Sequence, residues 1–376
     1  MMKFLQSFLS CWKFPIQGKL SKKSKAKPRN GFPLLNLPRV VLLECIENLD
    51  VLEIIIFSFL SKQAKSIAKL INWTPLNIHL LYGGGTICVR LKLSTAPGLQ
   101  WIIAYTNEKK LSAYPYFHSY LTGPEVKHCL VLRYDGNTIE DSKHMAEHIC
   151  EVFHSTIDGI DIGQESQIEW LIKFQPTIRH VSICDDVHVS AKTLDRISKS
   201  LKVTEYFGVG SIATDEEFQI TGPIPSRSVT IDNSCWITLP SILNGTNSII
   251  RLNESKLTPM DINTILKEWQ KGTKLQNLEY LEIKTSPVDS FTGEDADNYT
   301  NALFHDLDLT ESADDDERPL TVKIDDEFEY TLREVETMNN LIRSDGMIGS
   351  IFEIIGEFER DGMLLCFYFQ VWRKQT

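Results

Sequence analysis

The sequence predicts a mixed α/β protein: three short N-terminal helices, then a leucine-rich-repeat-like solenoid of strands and helices, closed by a β-rich C-terminal cap. Three observations predict this fold. A dense apolar segment ends near residue 72, short apolar runs then recur at intervals of roughly 20–30 residues, and β-prone residues crowd the C-terminus. The chain has 376 residues, of which 42% are hydrophobic, so it is long enough for two domains.

Residues 1–30 form a basic leader. Its apolar residues share one helical stripe, made of Phe4, Leu5, Phe8, Leu9 and Trp12, and only basic charges follow up to Arg29. Three interpretations stay open: a disordered leader, a nuclear import signal, or an interfacial helix that brings residues 4–29 to a membrane. Because Gln6 and Ser7 interrupt the apolar stripe and no small-residue cleavage site follows, a secretory signal is not expected.

Residues 31–72 predict three short helices with more apolar surface than they can bury. From Phe32 to Leu60, 19 of 29 residues are Phe, Leu, Val, Ile or Cys. Pro38 suits a first helical turn, residues 48–50 break the run, and Ser61 is placed to cap a third helix. The uncharged run is too short to span a membrane, which leaves a buried helical hairpin or a helical docking module.

Residues 73–376 alternate short strands with helices. We expect strands at 128–133, 157–162, 179–184, 203–209, 227–232, 248–253 and 278–283, and helices at 141–154, 167–174, 192–201 and 259–270. The spacing favours a solenoid, and an ordinary α/β sheet remains the alternative. Residues 76–104 and 347–372 are expected to cap its ends, with a tight hairpin turn at the glycines 83–85.

Charge and cysteine spacing exclude several classes of function. The net charge is −11, and beyond the basic first 43 residues the chain holds 30 basic against 50 acidic residues. This balance argues against nucleic-acid binding. The eight cysteines contain no Cys-x-x-Cys pair, which argues against zinc fingers and disulfide frameworks and for a reducing compartment. Eleven acidic residues without Lys or Arg, at 289–317, predict a solvated loop, with an electrostatic contact for a basic target as the alternative.

Two patterns raise the question of catalysis. His144-Met-Ala-Glu147-His148 matches the inverted zinc-protease signature, with Glu205, Glu216 and Glu217 as candidates for a further ligand. Such short motifs need a structural setting, and none is evident, so a zinc hydrolase stays a remote alternative. Asp185 and Asp186 follow a predicted strand, where they either face a ligand or are merely solvated. We expect a non-catalytic chain with no metal and no cofactor.

The apolar segment resembles an F-box. The residues that carry the resemblance are Phe-Pro-Leu-Leu-x-Leu-Pro at 32–38, Leu-x-x-x-Glu-Ile at 49–54 and Ser-Lys-x-Ala-Lys-Ser at 61–66. At 39–41 the chain has Arg-Val-Val, where F-boxes often carry an acidic residue and Leu. The sequence is more narrowly similar to the nematode F-box proteins that carry a type-2 F-box-associated domain.

Further residues resemble that associated domain. They are Cys-Trp-Ile-Thr-Leu at 235–239, Ser-Ile-Ile-Arg-Leu at 248–252, Leu-Thr-x-x-Asp-Ile-Asn at 257–263, Trp-x-x-Gly at 269–272, Leu-Glu-Tyr-Leu-Glu-Ile at 278–283, Arg-Ser-Asp-Gly at 343–346 and Phe-Tyr-Phe-x-Val-Trp at 367–372. The resemblance is weakest between roughly residues 73 and 225.

The resemblance implies a substrate-recognition subunit of an SCF-type cullin–RING ubiquitin ligase, cytoplasmic or nuclear. The F-box helices would bind a Skp-family adaptor, which links the chain to cullin, and the C-terminal domain would bind a protein target. The expected adaptor contacts are Leu34, Leu37, Pro38, Val41, Leu42, Ile46, Leu52 and Ile55. An F-box scaffold outside ubiquitylation is the alternative.

Overall fold

A computed structural model gives the fold of this chain and describes residues 34–71, 76–83, 86–106, 116–133, 137–185, 187, 189–210, 219–285, 293–313, 318–324, 329–332, 337–359 and 362–373. The basic leader and its three interpretations lie outside the described residues. The chain divides into two compact units at Trp73 and Thr74, and the first unit also takes in Glu151–His154.

The first unit contains the three predicted helices: α1 (Arg39–Glu47), α2 (Val51–Phe59) and α3 (Lys62–Ala68), after a 3-10 turn at Leu34–Asn36. The predicted break follows α1, since Asp50 caps α2 by accepting a hydrogen bond from Leu52 N at 2.9 Å. Ser61 caps α3 as predicted and accepts a 3.0 Å hydrogen bond from Ala64 N. Buried residues run through α2 from Val51 to Ser58. Most of the apolar surplus in α2 is therefore buried in the folded chain.

The second unit is built on one large β-sheet. The described strands are β1 (Leu76–Gly83), β2 (Thr86–Leu93), β3 (Ala96–Thr106), β4 (Tyr116–Thr122), β5 (Glu125–Arg133), β6 (Ile157–Ile162), β7 (Thr177–Ile183), β8 (Lys202–Val209), β9 (Ser228–Ile231), β10 (Ile249–Ser255), β11 (Tyr280–Thr285), β12 (Thr310–Ala313), β13 (Thr321–Lys323), β14 (Glu329–Thr331), β15 (Thr337–Ile342), β16 (Ile348–Glu359) and β17 (Gly362–Trp372).

The other described helices are α4 (Thr138–Phe153), whose residues from Glu151 onward belong to the first unit, α5 (Glu165–Phe174), α6 (Ala191–Ser200), α7 (Leu239–Leu243), α8 (Pro259–Gln270) and α9 (Gly293–Leu303). The predicted helix at 259–270 and the predicted strand at 157–162 are confirmed at both ends. The predicted hairpin is also confirmed, because β1 and β2 pair antiparallel and Gly83 is registered with Thr86.

Fifteen of the described strands join in the order β12-β15-β16-β17-β11-β10-β9-β8-β7-β6-β1-β2-β3-β5-β4. From β6 to β11 the neighbours follow chain order and pair parallel, with helices between most of them. This ordered run explains the spacing in the sequence. At both ends, however, antiparallel strands continue the same sheet. The solenoid prediction is therefore not confirmed, and the architecture is one mixed sheet with helices.

The acidic stretch at 289–317 is not a loop throughout, contrary to the prediction. It contains α9 and β12. Tyr299 and Leu303 lie four positions apart on α9 and are both buried, so the helix holds an apolar edge within a strongly acidic run. Asn263 on α8 anchors its end by donating a 2.8 Å hydrogen bond to Leu303 O.

The two faces of the parallel run differ in chemistry, and residues paired across strands share a face. One face carries buried apolar rows, of which the first is Leu80, Ile160, Val181, Phe207, Val229, Ile250 and Leu281. Helix α8 packs on this face, since Trp269 meets the ring of Phe369 edge-on at 4.9 Å and Phe369 is registered with Leu281. The opposite face carries the polar side chains, so the groups that could bind a ligand or partner lie there.

No described helix is both long enough and apolar enough to cross a membrane.

Candidate docking sites

The first unit concentrates exposed apolar side chains. Among the described residues, four of the ten large hydrophobic side chains that are exposed lie between residues 40 and 70: Val40, Val41, Phe59 and Leu70. Val40 is 77% exposed although it lies in the middle of an apolar run. Large apolar side chains left in water on a short helical unit are typical of a protein-binding surface. We call these four residues the helical patch.

The structure divides the eight expected adaptor contacts into two groups. Leu42, Ile46, Leu52 and Ile55 are at most 4% exposed, so they hold the helices together in the free chain. Pro38 and Val41 are exposed, Leu37 is half-buried, and the side chain of Leu34 lies outside the described residues. Residue patterns alone missed Val40, Phe59 and Leu70, because an apolar run does not reveal which of its sides stays in water.

A capping box fixes the start of α2. The carboxylate of Glu53 accepts a 2.9 Å hydrogen bond from Asp50 N, while Asp50 caps the helix in return. Burial raises the pKa of Glu53, and this backbone hydrogen bond opposes the shift. The two acidic residues thus set where α2 begins, rather than offering charge to a partner.

In the second unit, the polar face of the sheet is organised in rows. One row runs through His79, Gly159, His180, Tyr206 and Ser228 on β1, β6, β7, β8 and β9. The next row is Asp161, Ser182, Gly208, Thr230, Arg251 and Glu282. The first row contains three rings, of His79, His180 and Tyr206, and the second contains only small, polar and charged residues, so this face is rich in hydrogen-bonding groups.

A two-stranded hairpin covers one end of the polar face. Strands β13 and β14 pair with each other, and their apolar residues form a buried cluster with Ile249, Tyr280, Phe352 and Tyr368. The ring of Tyr330 lies 6.0 Å from that of Tyr280, and Arg251 stacks 4.6 Å above Tyr330. The covered part therefore spans β10, β11, β17 and β16.

Arg251 and Lys284 neutralise a buried carboxylate, Glu282, beside the covered part. The buried carboxylate of Glu282 accepts a hydrogen bond from Arg251 Nε at 2.7 Å and lies 3.3 Å from Lys284 Nζ. Removing one partner of such a buried pair is strongly destabilising, because it leaves the other charge without compensation.

A second polar cluster lies on β1, β6 and β7. Two imidazoles, His79 and His180, stack with centroids 6.4 Å apart. His180 Nδ1 lies 3.4 Å from Asp158 Oδ2, and Arg179 Nη1 lies 3.3 Å from Asp158 Oδ1. Burial alone would raise the pKa of Asp158, but His180 and Arg179 outweigh it and hold that pKa below its ordinary value. On the other side, His79 Nε2 lies 3.6 Å from Asp161 Oδ1.

A cavity of about 260 Å³ opens where β7, β8 and β9 end. Its polar lining comes from Ser182, Cys184, Asp185, Tyr206, Thr230 and Asp232. Of these residues, the sequence pattern indicated only Asp185, and Asp186 lies outside the described residues. The others escaped notice because their grouping depends on how three separate strands align, for which the sequence carries no local signal.

Two glycines make room for this cavity. A Cβ on Gly208 would lie 2.8 Å from the Tyr206 ring, and one on Gly210 would lie 2.0 Å from Asp185 Oδ1. Glycine at these two positions therefore lets a ring and a carboxylate lie directly against the backbone.

The zinc-protease pattern does not form a metal site in the part of the chain that the structure describes. Glu147 accepts a 2.7 Å hydrogen bond from Trp170 Nε1, and His144 is exposed on α4. Within the described ranges, no three His, Cys, Asp or Glu residues are grouped so as to hold a metal ion. Glu205 lies on β8, and Glu216 and Glu217 fall outside those ranges.

Comparison with known families gives two matches. The family model of the F-box domain matches residues 34–74, and that of an F-box-associated domain matches residues 217–283. The chain thus carries both domains that the resemblance predicted. No curated protein and no solved structure matches it. The similarity at 343–372 lies outside the matched ranges and stays a prediction.

Proposed function

We propose that this chain is the substrate-recognition adaptor of an SCF-type cullin–RING ubiquitin ligase. The observation that carries the proposal is the F-box match over residues 34–74, together with the helical patch in the same residues. F-box domains generally bind a Skp-family adaptor, and an adaptor of this family is the partner we propose for the helices. The nematode group named above is the origin we favour.

We assign direct contact to the accessible residues of the F-box. Leu37, Pro38 and Val41 are the expected contacts among them, with Leu34 at the preceding turn, and the helical patch widens the surface. Leu42, Ile46, Leu52 and Ile55 would support that surface from below, because they are buried. Truncating one anchor of such an interface typically costs about 2–4 kcal/mol of binding free energy.

The second unit would bind the protein target. The polar face of its sheet is a broad surface built from rows of side chains, and the described hairpin covers one end of it. Catalysis would then come from proximity, since a bound target is held near a ubiquitin-charged enzyme that the assembly recruits. We propose no chemical step for this chain itself, and we place it in the cytoplasm or the nucleus.

An affinity capture tests the proposal. The tagged full-length chain is compared with a Leu37→Ala, Pro38→Ala double variant, and the bound Skp-family adaptor and cullin are quantified. Both should accompany the wild type and fall strongly with the variant. Adaptor without cullin would instead support the scaffold outside ubiquitylation, and absence of both would contradict the adaptor role.

A further inference from the structure

We infer that the cavity at the ends of β7, β8 and β9 binds a cationic side chain, lysine or arginine, of the target protein. This inference rests on the proposed function, because it names what the second unit recognises. It concerns a site to which neither family match assigns a role.

The charge of the rim selects a cation. Asp185 and Asp232 both line the cavity and are both exposed, and the lining residues that the structure describes include no Lys or Arg. The nearest arginine in the same row, Arg251, is held by Glu282 at 2.7 Å and stacks on Tyr330. Asp232 Oδ1 accepts a hydrogen bond from Asn253 Nδ2 at 2.8 Å, which orients the carboxylate. An anionic group placed here would be repelled by both rim carboxylates.

The walls suit the rest of such a side chain. Tyr206 offers a ring, on whose face ammonium and guanidinium groups bind favourably. Thr230 also lines the cavity, and its Oγ1 is a buried atom with no hydrogen-bond partner among the described residues. A cationic donor can satisfy this hydroxyl, whereas an apolar side chain would leave it unpaired.

The volume of the cavity favours one cationic side chain over a whole small molecule or a metal ion. A volume of about 260 Å³ lies below the range of pockets that enclose whole small molecules. A single divalent ion is far smaller and needs several oxygen ligands, whereas within the described residues no group of three metal-binding side chains exists. One long, positively charged side chain fits this volume and needs no group of metal-binding side chains.

The charge of the whole chain agrees with a basic partner. Beyond residue 43, acidic residues outnumber basic ones by 50 to 30. A net negative surface speeds encounter with a basic protein, and a pocket with two rim carboxylates then fixes which side chain is selected.

The test uses the full-length chain and three small probes observed by saturation-transfer NMR. The probes are Nα-acetyl-lysine methylamide, Nα-acetyl-arginine methylamide and the neutral Nα-acetyl-norleucine methylamide. The two cationic probes should bind, and norleucine should bind at least about threefold more weakly, because it lacks the charge. Asp185→Asn and Asp232→Asn should each weaken the cationic probes by about three- to tenfold.

Matched variants separate recognition from folding. Asp195→Asn neutralises an exposed carboxylate on α6, away from the cavity lining, and should leave all probes unchanged. Thr230→Val keeps the shape of the wall and should weaken the cationic probes only. Thermal unfolding of every variant must stay close to wild type for the comparison to count.

Two results would overturn the inference: equal signals from norleucine and lysine, or no cationic probe bound by a folded wild type. Adaptor capture on the same preparation keeps the two proposals apart. If the adaptor binds and the probes do not, only the cavity inference fails. If the probes bind and the adaptor does not, the proposed ligase role fails.

Discussion

The roles of single residues explain why the match to the F-box-associated domain identifies the fold of the second unit but not the target protein. Trp236 and Trp269 are at most 1% exposed, and Arg343 stacks 5.1 Å above the Trp269 ring. Thr258 caps α8. Residues of this kind fill the core and start helices, so a family pattern built on them identifies the architecture. The residues of the cavity other than Thr230 and Asp232 lie outside the matched range, which ends at 283 and begins at 217.

A buried carboxylate gives a first prediction at the scale of one residue. Glu282→Gln removes the countercharge of Arg251 from a fully buried position, so the free energy of unfolding should fall by about 2–4 kcal/mol. Glu279→Gln is the matched control, because that carboxylate pairs with Arg227 and is half exposed. It should cost no more than about 0.5 kcal/mol. Urea unfolding at pH 7 measures both, and equal losses would contradict the burial argument.

The Asp158 cluster gives a second prediction, which depends on pH. His180 and Arg179 keep the pKa of Asp158 below its ordinary value despite burial, so the folded state favours the carboxylate. That stabilisation is complete above the unfolded pKa of about 3.9 and is lost as pH falls through the lower folded pKa. Asp158→Asn should therefore cost about 1–2 kcal/mol at pH 6. The difference from wild type should shrink as pH falls below about 3.9 and vanish below the lower folded pKa. A difference that stays constant across that range would refute the assignment.

At the scale of elements, capping residues made several boundaries predictable. Ser61 was the expected cap of α3 and marks its start, and in the structure Thr258 and the proline after it mark the start of α8 in the same way. Helix α9 was missed because its apolar edge, Tyr299 and Leu303, is sparse among acidic residues. The solenoid was expected because a sheet of consecutive parallel strands and a solenoid have the same spacing between strands along the sequence. The antiparallel pairing of β11 with β17 distinguishes a mixed sheet from a solenoid, and pairing between strands so far apart in the sequence leaves no local mark.

The cap of α8 supplies the prediction at this scale. Thr258 accepts a 3.2 Å hydrogen bond from Asp261 N, so Thr258→Ala should lower the free energy of unfolding by about 1 kcal/mol. Thr264→Ala, inside the same helix, is the control. Its hydroxyl bonds back to Met260 O, and alanine has the better helix propensity. That variant should be neutral or slightly stabilising in the same urea titration, and a loss equal to that of Thr258→Ala would contradict the capping role.

For the whole molecule, the sequence predicted the three short helices of the first unit ahead of a mixed α/β body. It did so because motif spacing and helix breaks are both visible along the chain. The sequence could not show which apolar residues of the F-box are buried and which are exposed, since Val40 and Leu42 are equally apolar. Nor could it reveal the cavity, which needs the ends of three strands in one place.

A calorimetric titration of a purified Skp-family adaptor into the full-length chain shows whether the F-box helices bind that adaptor. Val41→Glu places a charge in the helical patch, and Leu121→Glu makes the same change at a leucine on β4 that is 75% exposed. The account predicts tight binding by wild type and Leu121→Glu, and a loss of at least about tenfold in affinity for Val41→Glu. No binding by the wild type, or equal binding by all three chains, would contradict it.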